Sequence, residues 1–267
     1  MSWIYHDFGL EGVVLAAPEL DAVLRGADAA SFSPLQLEMR GLHLAIVRTC
    51  ALANDRRTKL TVEALNELYD LLLPPRVESK AEAKAEAKAE AKAEADALAL
   101  ANLAANPEPS PEPRAEAKEA DKPEPKSRYR RDMPMHRQYF HDIVHPGEVE
   151  PGLKTLLSWM TDPEKLKAAH PVRFAARAHH EFLRVFPYPK HSGRVGRLLM
   201  NLLLMREHFP PAIVHSTDRH RYYEALKASP DAVAVLASEA LHNSAHSGLR
   251  FFGCDDESPD LSQSGGY

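Results

Sequence analysis

The stretch best equipped for chemistry reads Phe186-Pro187-Tyr188-Pro189-Lys190-His191-Ser192-Gly193-Arg194-Val195-Gly196-Arg197. Arg194 and Arg197, three residues apart, share nearly one face of a helix, and each guanidinium is a planar fork matched to phosphate oxygens. Lys190 adds a third cation on the preceding loop. Pro187 and Pro189 stop any helix before them, because the residue ahead of a proline is pushed out of the α region. Ser192 then reads as the N-cap of a helix that opens at Gly193. The N–H groups and macrodipole of such an opening attract anions. The pattern predicts a polyphosphate or other anion site at Lys190, Ser192, Gly193, Arg194 and Arg197. The same residues permit a plainer reading, in which the arginines pair with acidic side chains and Ser192-Gly193 makes a tight turn.

The elements around this loop are helical by pattern. Apolar periodicity predicts helices at about 149–160, 170–185, 193–208, 218–226 and 231–242, with a hairpin at 133–140. Ahead of residue 75, Leu35, Leu42, Ile46 and then Leu60, Leu65, Leu68, Leu72 mark two or three helices with one apolar face each, the last capped by Thr61. Strands and helices do not alternate, so the fold class is all-α with at most a small β element.

Composition bounds the rest. The 267 residues include 33 basic and 38 acidic ones, a formal charge of -5, which is not the cationic body that nucleic acid selects. Cys50 and Cys254 alone exclude a disulfide framework and fit a reducing compartment. The first ten residues carry His6 and Asp7 where a leader would need a basic region and an apolar run. The most apolar stretch, 198–205, is interrupted by Asn201 and is far too short to span a bilayer. These features imply a cytoplasmic protein with no membrane partner.

Between Tyr69 and Tyr129 there is no aromatic residue. A Lys-Ala-Glu-Ala repeat over 80–95 favours helix by propensity but sets like charges at i,i+4. Pro107, Pro109, Pro111, Pro113, Pro123 and Pro125 then favour extended chain. The expected division is N-terminal helices at 1–75 packed on the core, a linker at 76–126, the core at 127–253 and a flexible tail at 254–267.

The loop and its surroundings resemble the Fic (Fido) family, whose motif is His-Pro-Phe-x-Asp/Glu-Gly-Asn-Gly-Arg-x-x-Arg between two helices. Ser127-Arg128-Tyr129-Arg130 resembles the approach to that family's flap, and Leu153 to Trp159 its Leu-Leu-x-Trp helix. His170-Pro171, Ala175-Ala176 and His179-His180-Glu181-Phe182 resemble the helix before the motif. Gly196 to Leu204, Phe209-Pro210-Pro211 and Tyr222 to Leu226 resemble the segments on its C-terminal side. The resemblance implies a helical domain with a β-hairpin flap.

It also implies transfer of a nucleotidyl group, commonly AMP from ATP, to a hydroxyl of a target protein. In the family a histidine takes the hydroxyl proton, a carboxylate holds Mg2+, and the Asn, Gly and Arg positions bind phosphates. Pro187, Gly193, Arg194 and Arg197 match; Phe186 stands at the base, Lys190 at the metal ligand, and His191-Ser192 at the Gly-Asn pair. Loss of a positioned base removes about 10²- to 10⁴-fold of rate, and lysine is no ligand for Mg2+. Two functions stay open. One is a divergent transferase with ATP or a similar triphosphate as substrate, Lys190 in place of the metal and His191 as a displaced base. The other is a pseudoenzyme that binds nucleotide or partner, with Phe186 filling the place of the imidazole. Many relatives block ATP with a helix glutamate on the second motif arginine; Glu38 is the nearest candidate here, although Ser33 to Gly41 does not match the family's spacing. His242 and His246, at i,i+4, read as a surface pair without a third ligand.

Overall fold

Pro34, Pro163, Pro171 and Pro230 each open a helix, at the one turn where a missing N–H costs nothing. Each is preceded by a residue whose side chain accepts from the first turn: Ser33, Asp162, His170 and Ser229. Ser33 forms a reciprocal capping box with Gln36. These four helix starts are therefore written locally.

The computed structural model describes residues 1–26, 32–56, 59–74, 128–134 and 142–253. Among them every regular element is helical. In chain order these are α1 (Ser2–Leu10), α2 (Ala17–Leu24), α3 (Pro34–Asn54), α4 (Val62–Leu72), α5 (Val149–Met160), α6 (Pro163–Ala168), α7 (Pro171–Val185), α8 (Ser192–Arg206), α9 (Arg219–Ala228) and α10 (Pro230–Phe251). Short 3-10 turns at Pro146–Glu148 and Ser216–Asp218 precede α5 and α9. The expected hairpin falls largely on residues 135–141, and the expected linker and tail on 75–127 and 254–267, all outside the described residues.

The described residues all belong to one compact unit. Its centre is α8, on which Gly193 to Leu204 are all buried. A helix buried all round needs neighbours on every side. Here α7, α3 and α4 supply them, while α10 and α5 cover α7. Gly196 lets α7 approach α8 closely: a Cβ there would stand 3.0 Å from the His179 ring. Helix α10 runs to Phe251, well beyond the expected end near 242, because its last turns are exposed and lack the apolar period that marks a helix in sequence.

Candidate functional site

The loop between α7 and α8 hangs on Arg130. Helix α7 ends where Phe186 turns left-handed (φ 45°), its N–H donating to Phe182 O at 2.8 Å. The Arg130 guanidinium donates to the carbonyls of Phe186 (2.7 Å), Val185 (3.3 Å) and Val144, and its own N–H donates to Pro187 O (2.9 Å). A cation on the last carbonyls of a helix satisfies orphan acceptors and opposes the dipole. Burial lowers the Arg130 pKa. Arg130 is thus a fastening of the loop.

Tyr188 anchors the middle. Its ring is fully buried, stacked on Tyr69 at 4.0 Å, and its hydroxyl donates to Asn66 Oδ1 at 3.0 Å. Burial pushes the phenol pKa well up. Ser192 does not cap α8 as its position in sequence predicts. The N-cap is His191, left-handed at φ 59°, and no side chain bonds the first turn. The Ser192 hydroxyl instead accepts from Tyr188 N–H and donates to Tyr188 O, both at 2.9 Å. Buried backbone groups require partners, and the amide of a buried tyrosine claims this hydroxyl.

The two arginines are not open to solvent. Arg194 is 3% and Arg197 4% exposed. Arg197 donates to Asp7 through Nε (2.7 Å) and Nη2 (3.1 Å), and to Glu11 through Nη2 (2.8 Å). Arg194 donates to Asp7 through Nε (3.2 Å) and to Glu38 through Nη1 (3.4 Å). Burial alone would raise the Asp7 pKa; the attraction and hydrogen bonds of Arg197 and Arg194 overcome it and hold Asp7 below the usual carboxylate range. Burial likewise opposes the Arg197 charge, and Asp7 foremost, with Tyr222 and Glu11, outweighs it and raises the Arg197 pKa. The anion in the predicted receptacle is therefore a side chain of α1, in line with the plainer reading of the arginines. Glu38 reaches Arg194, not Arg197.

Asp7 and Glu11 escape sequence reading, since the first ten residues show only that they make no leader. The available signal is a lone acid inside an apolar turn, Ile4 and Phe8 flanking Asp7; both are buried with it. Helix α1 is held at its middle and at its C-terminal end. Arg219 Nε (2.7 Å) and the Tyr223 hydroxyl (3.2 Å) donate to Leu10 O, and Ser216 N–H donates to His6 Nδ1 (3.3 Å). His6 stacks on His215 at 4.2 Å, and Arg194 lies 4.1 Å over the Phe8 ring. Gly9 lets the helix seat, for a Cβ there would stand 2.4 Å from Ser216 Cβ.

The remaining predicted residues lie around this ion cluster. Phe186 is buried, Lys190 is exposed, and the half-buried His191 has Nδ1 3.3 Å from Arg194 Nη1. Burial, then Arg194, lowers the His191 pKa, so its imidazole is neutral near pH 7. The donor set does not fit Mg2+. An ammonium occupies the ligand position, and Asp7, Glu11 and Glu38 are all engaged by arginines. Among the described residues no group of three metal-ligating side chains occurs. His242 and His246 are exposed with ring centroids 6.5 Å apart. His179 is buried with Nε2 3.0 Å from the Tyr222 hydroxyl.

A family model described as Fic/DOC matches residues 114–204. The protein adenylyltransferase Fic of Nematostella vectensis is 42% identical over 83 residues, 30% of this chain and 19% of that protein. That of Culex quinquefasciatus is 38% identical over 84 residues, 32% of this chain and 17% of that protein. The matches thus span less than a fifth of these curated relatives. Among solved structures, a Fic domain containing signaling protein from Bacteroides thetaiotaomicron superposes with a TM-score of 0.64 at 18% identity, covering 94% of this chain and 87% of that one. Fic-1 from C. elegans gives 0.62 at 22% identity, covering 94% and 62%. No helix among the described residues is long and apolar enough to cross a membrane.

Proposed function

We propose that this chain, which carries a Fic domain with partial-length homology to protein adenylyltransferases, is a non-transferring form of that fold: a protein-binding module whose phosphate cradle is closed by its own Asp7. The observation that carries the reading is the buried Asp7 carboxylate shared by Arg194 and Arg197. Phosphate oxygens of ATP would need those same N–H donors. Phe186 neither accepts nor donates a proton, so the hydroxyl of a target finds no base at that position. Lys190 cannot ligate a divalent cation. Three requirements of metal-assisted adenylyl transfer thus fail at different atoms.

The relatives are named as acting on proteins, and a retained fold with a closed cradle keeps a surface for such partners without the chemistry. Mass spectrometry of the full chain and a mixed protein extract, incubated with ATP and Mg2+, tests this. No adenylyl increment is expected on any protein. An increment that disappears in Arg197→Ala would overturn the reading.

One observation favours a second reading, a divergent transferase. His191 lies half-buried with Nδ1 3.3 Å from Arg194 Nη1, and burial lowers its pKa, so a neutral imidazole stands beside the cradle. That reading needs Asp7 to leave the cradle first. It predicts that labelling, if found, is lost in His191→Ala and kept in Phe186→Ala.

A further inference from the structure

Helix α7 has a second face that the motif does not use. Its solvent stripe carries Arg173, Arg177, Glu181 and Arg184, whereas His179 and Phe182 face α8 at Gly196. Along this stripe lie two adjoining depressions of ≈ 430 Å³ and ≈ 390 Å³ that share Trp159, Arg177 and Glu181. Neither is lined by any residue from Phe186 to Arg197. The first is bordered by α5, α6, α7 and the start of α10. The second continues toward Leu156 and Val185.

The first depression carries three cations, Lys165, Arg173 and Arg177, against two acids, Glu181 and Asp231. Glu181 is engaged by Arg184 at 3.0 Å. Among the described residues, Lys165, Arg173 and Arg177 form no ion pair within 4.0 Å, leaving Asp231 as the opposing acid in the lining. The Arg177 guanidinium lies 4.9 Å over the Trp159 indole, and Trp159 stacks on Phe174 at 4.6 Å. This contact holds the guanidinium over an aromatic face, and none of its N–H donors is spent on an acid among the described residues. Arg173 stands one turn earlier on the same helix, and Lys165 faces them from α6.

We propose that this groove binds an extended acidic peptide of a partner protein. A carboxylate or phosphoryl group sits among Lys165, Arg173 and Arg177, and an apolar side chain lies past Trp159 against Leu156 and Val185. Two joined depressions suit an extended segment better than a compact metabolite, and the charge of the first selects anions. The groove is independent of the closed cradle and serves a transferase or a non-transferring module alike.

Trp159 supplies the readout. In a Trp3→Phe background it is the only indole in the chain. The full chain is titrated with a fluorescein-labelled glutamate-rich peptide containing one leucine, and with the same peptide bearing phosphoserines, following both Trp159 emission and fluorescence anisotropy. Saturable binding is expected, weakened by added salt and by about tenfold or more in Arg173→Glu/Arg177→Glu. Arg25→Glu, at an exposed cation ending α2 that lines neither depression, should leave it unchanged, which separates the groove's cations from a general charge effect. The more tightly bound peptide identifies the anionic group. No saturable binding of either peptide, or binding indifferent to the double reversal, overturns the proposal. Salt-sensitive self-association that the same reversal abolishes assigns the groove to a second copy of the chain and equally overturns it.

Discussion

Asp7 and Arg197 form a two-point ion pair, Nε 2.7 Å from one carboxylate oxygen and Nη2 3.1 Å from the other, across 190 residues of sequence. Both side chains are 5% exposed or less. Taking two such charges out of water is expensive, and the geometry must return most of that cost. Its consequence is specific: removing Asp7 leaves Arg197 to Glu11 and Arg194 to Glu38, both partly exposed acids, and takes away the buried carboxylate that the two guanidiniums share.

Asp7→Asn should therefore destabilise the fold by roughly 3–5 kcal/mol. Urea denaturation measures this. Added sulfate should recover more stability in the variant than in the parent, because only the variant has lost the carboxylate that the two buried guanidiniums share. A loss below about 1 kcal/mol, in the range of an exposed pair, would mean that the contact is incidental.

The titrating groups of α1 set an acid dependence. Burial, then His215, lowers the His6 pKa from 6.5, so the folded state binds fewer protons than the unfolded one in that range. The His6 contribution is complete above about pH 6.5 and is lost as pH falls through its folded value. His191 shifts in the same direction. Asp7 also lies below its ordinary value, so its contribution is present above pH 3.8 and fades at lower pH. Denaturation midpoints should decline first below about pH 6.5 and again in strong acid. His6→Gln should flatten part of the first decline; an unchanged profile would contradict this.

Gly9→Ala probes the seat of α1. The added Cβ would stand 2.4 Å from Ser216 Cβ, so helix or turn must shift. The expected cost is about 1–3 kcal/mol, read from the thermal midpoint, with faster phenylglyoxal modification of Arg194 and Arg197. Unchanged reactivity at lowered stability would show that α1 gives way without exposing the cradle.

The loop has its own lock. Ser192→Ala removes both hydrogen bonds that the hydroxyl makes to the buried backbone of Tyr188. The loss should be about 1–3 kcal/mol, as for an unsatisfied buried group. Tyr188→Phe keeps the stack on Tyr69 and gives up the bond to Asn66 alone, so about 1 kcal/mol is expected. Chemical denaturation of the two variants tests the order. A larger loss for Tyr188→Phe reverses the roles assigned here.

Much of the helical framework was legible because it is written locally. Prolines at first positions, caps beside them and apolar periodicity place α5 and α7 within a residue of their observed limits. Helix α8 starts one residue early and ends two residues short of expectation. The site was legible only in part. The motif shows which residues are cationic, and nothing in its spacing shows what neutralises them. The partner is a carboxylate from the opening helix, brought close by tertiary folding alone. The misread cap has a similar cause: Ser192 is a good N-cap by type, but a buried amide four residues earlier takes its hydroxyl first.

Calorimetric titration of the chain with ATP, with and without Mg2+, tests the closed cradle most directly. A cradle filled by Asp7 gives no saturable heat with ATP, with or without Mg2+, and any binding that Asp7→Asn opens is indifferent to the metal. Saturable binding of ATP to the unaltered chain, with or without Mg2+, that Arg197→Ala abolishes would contradict it.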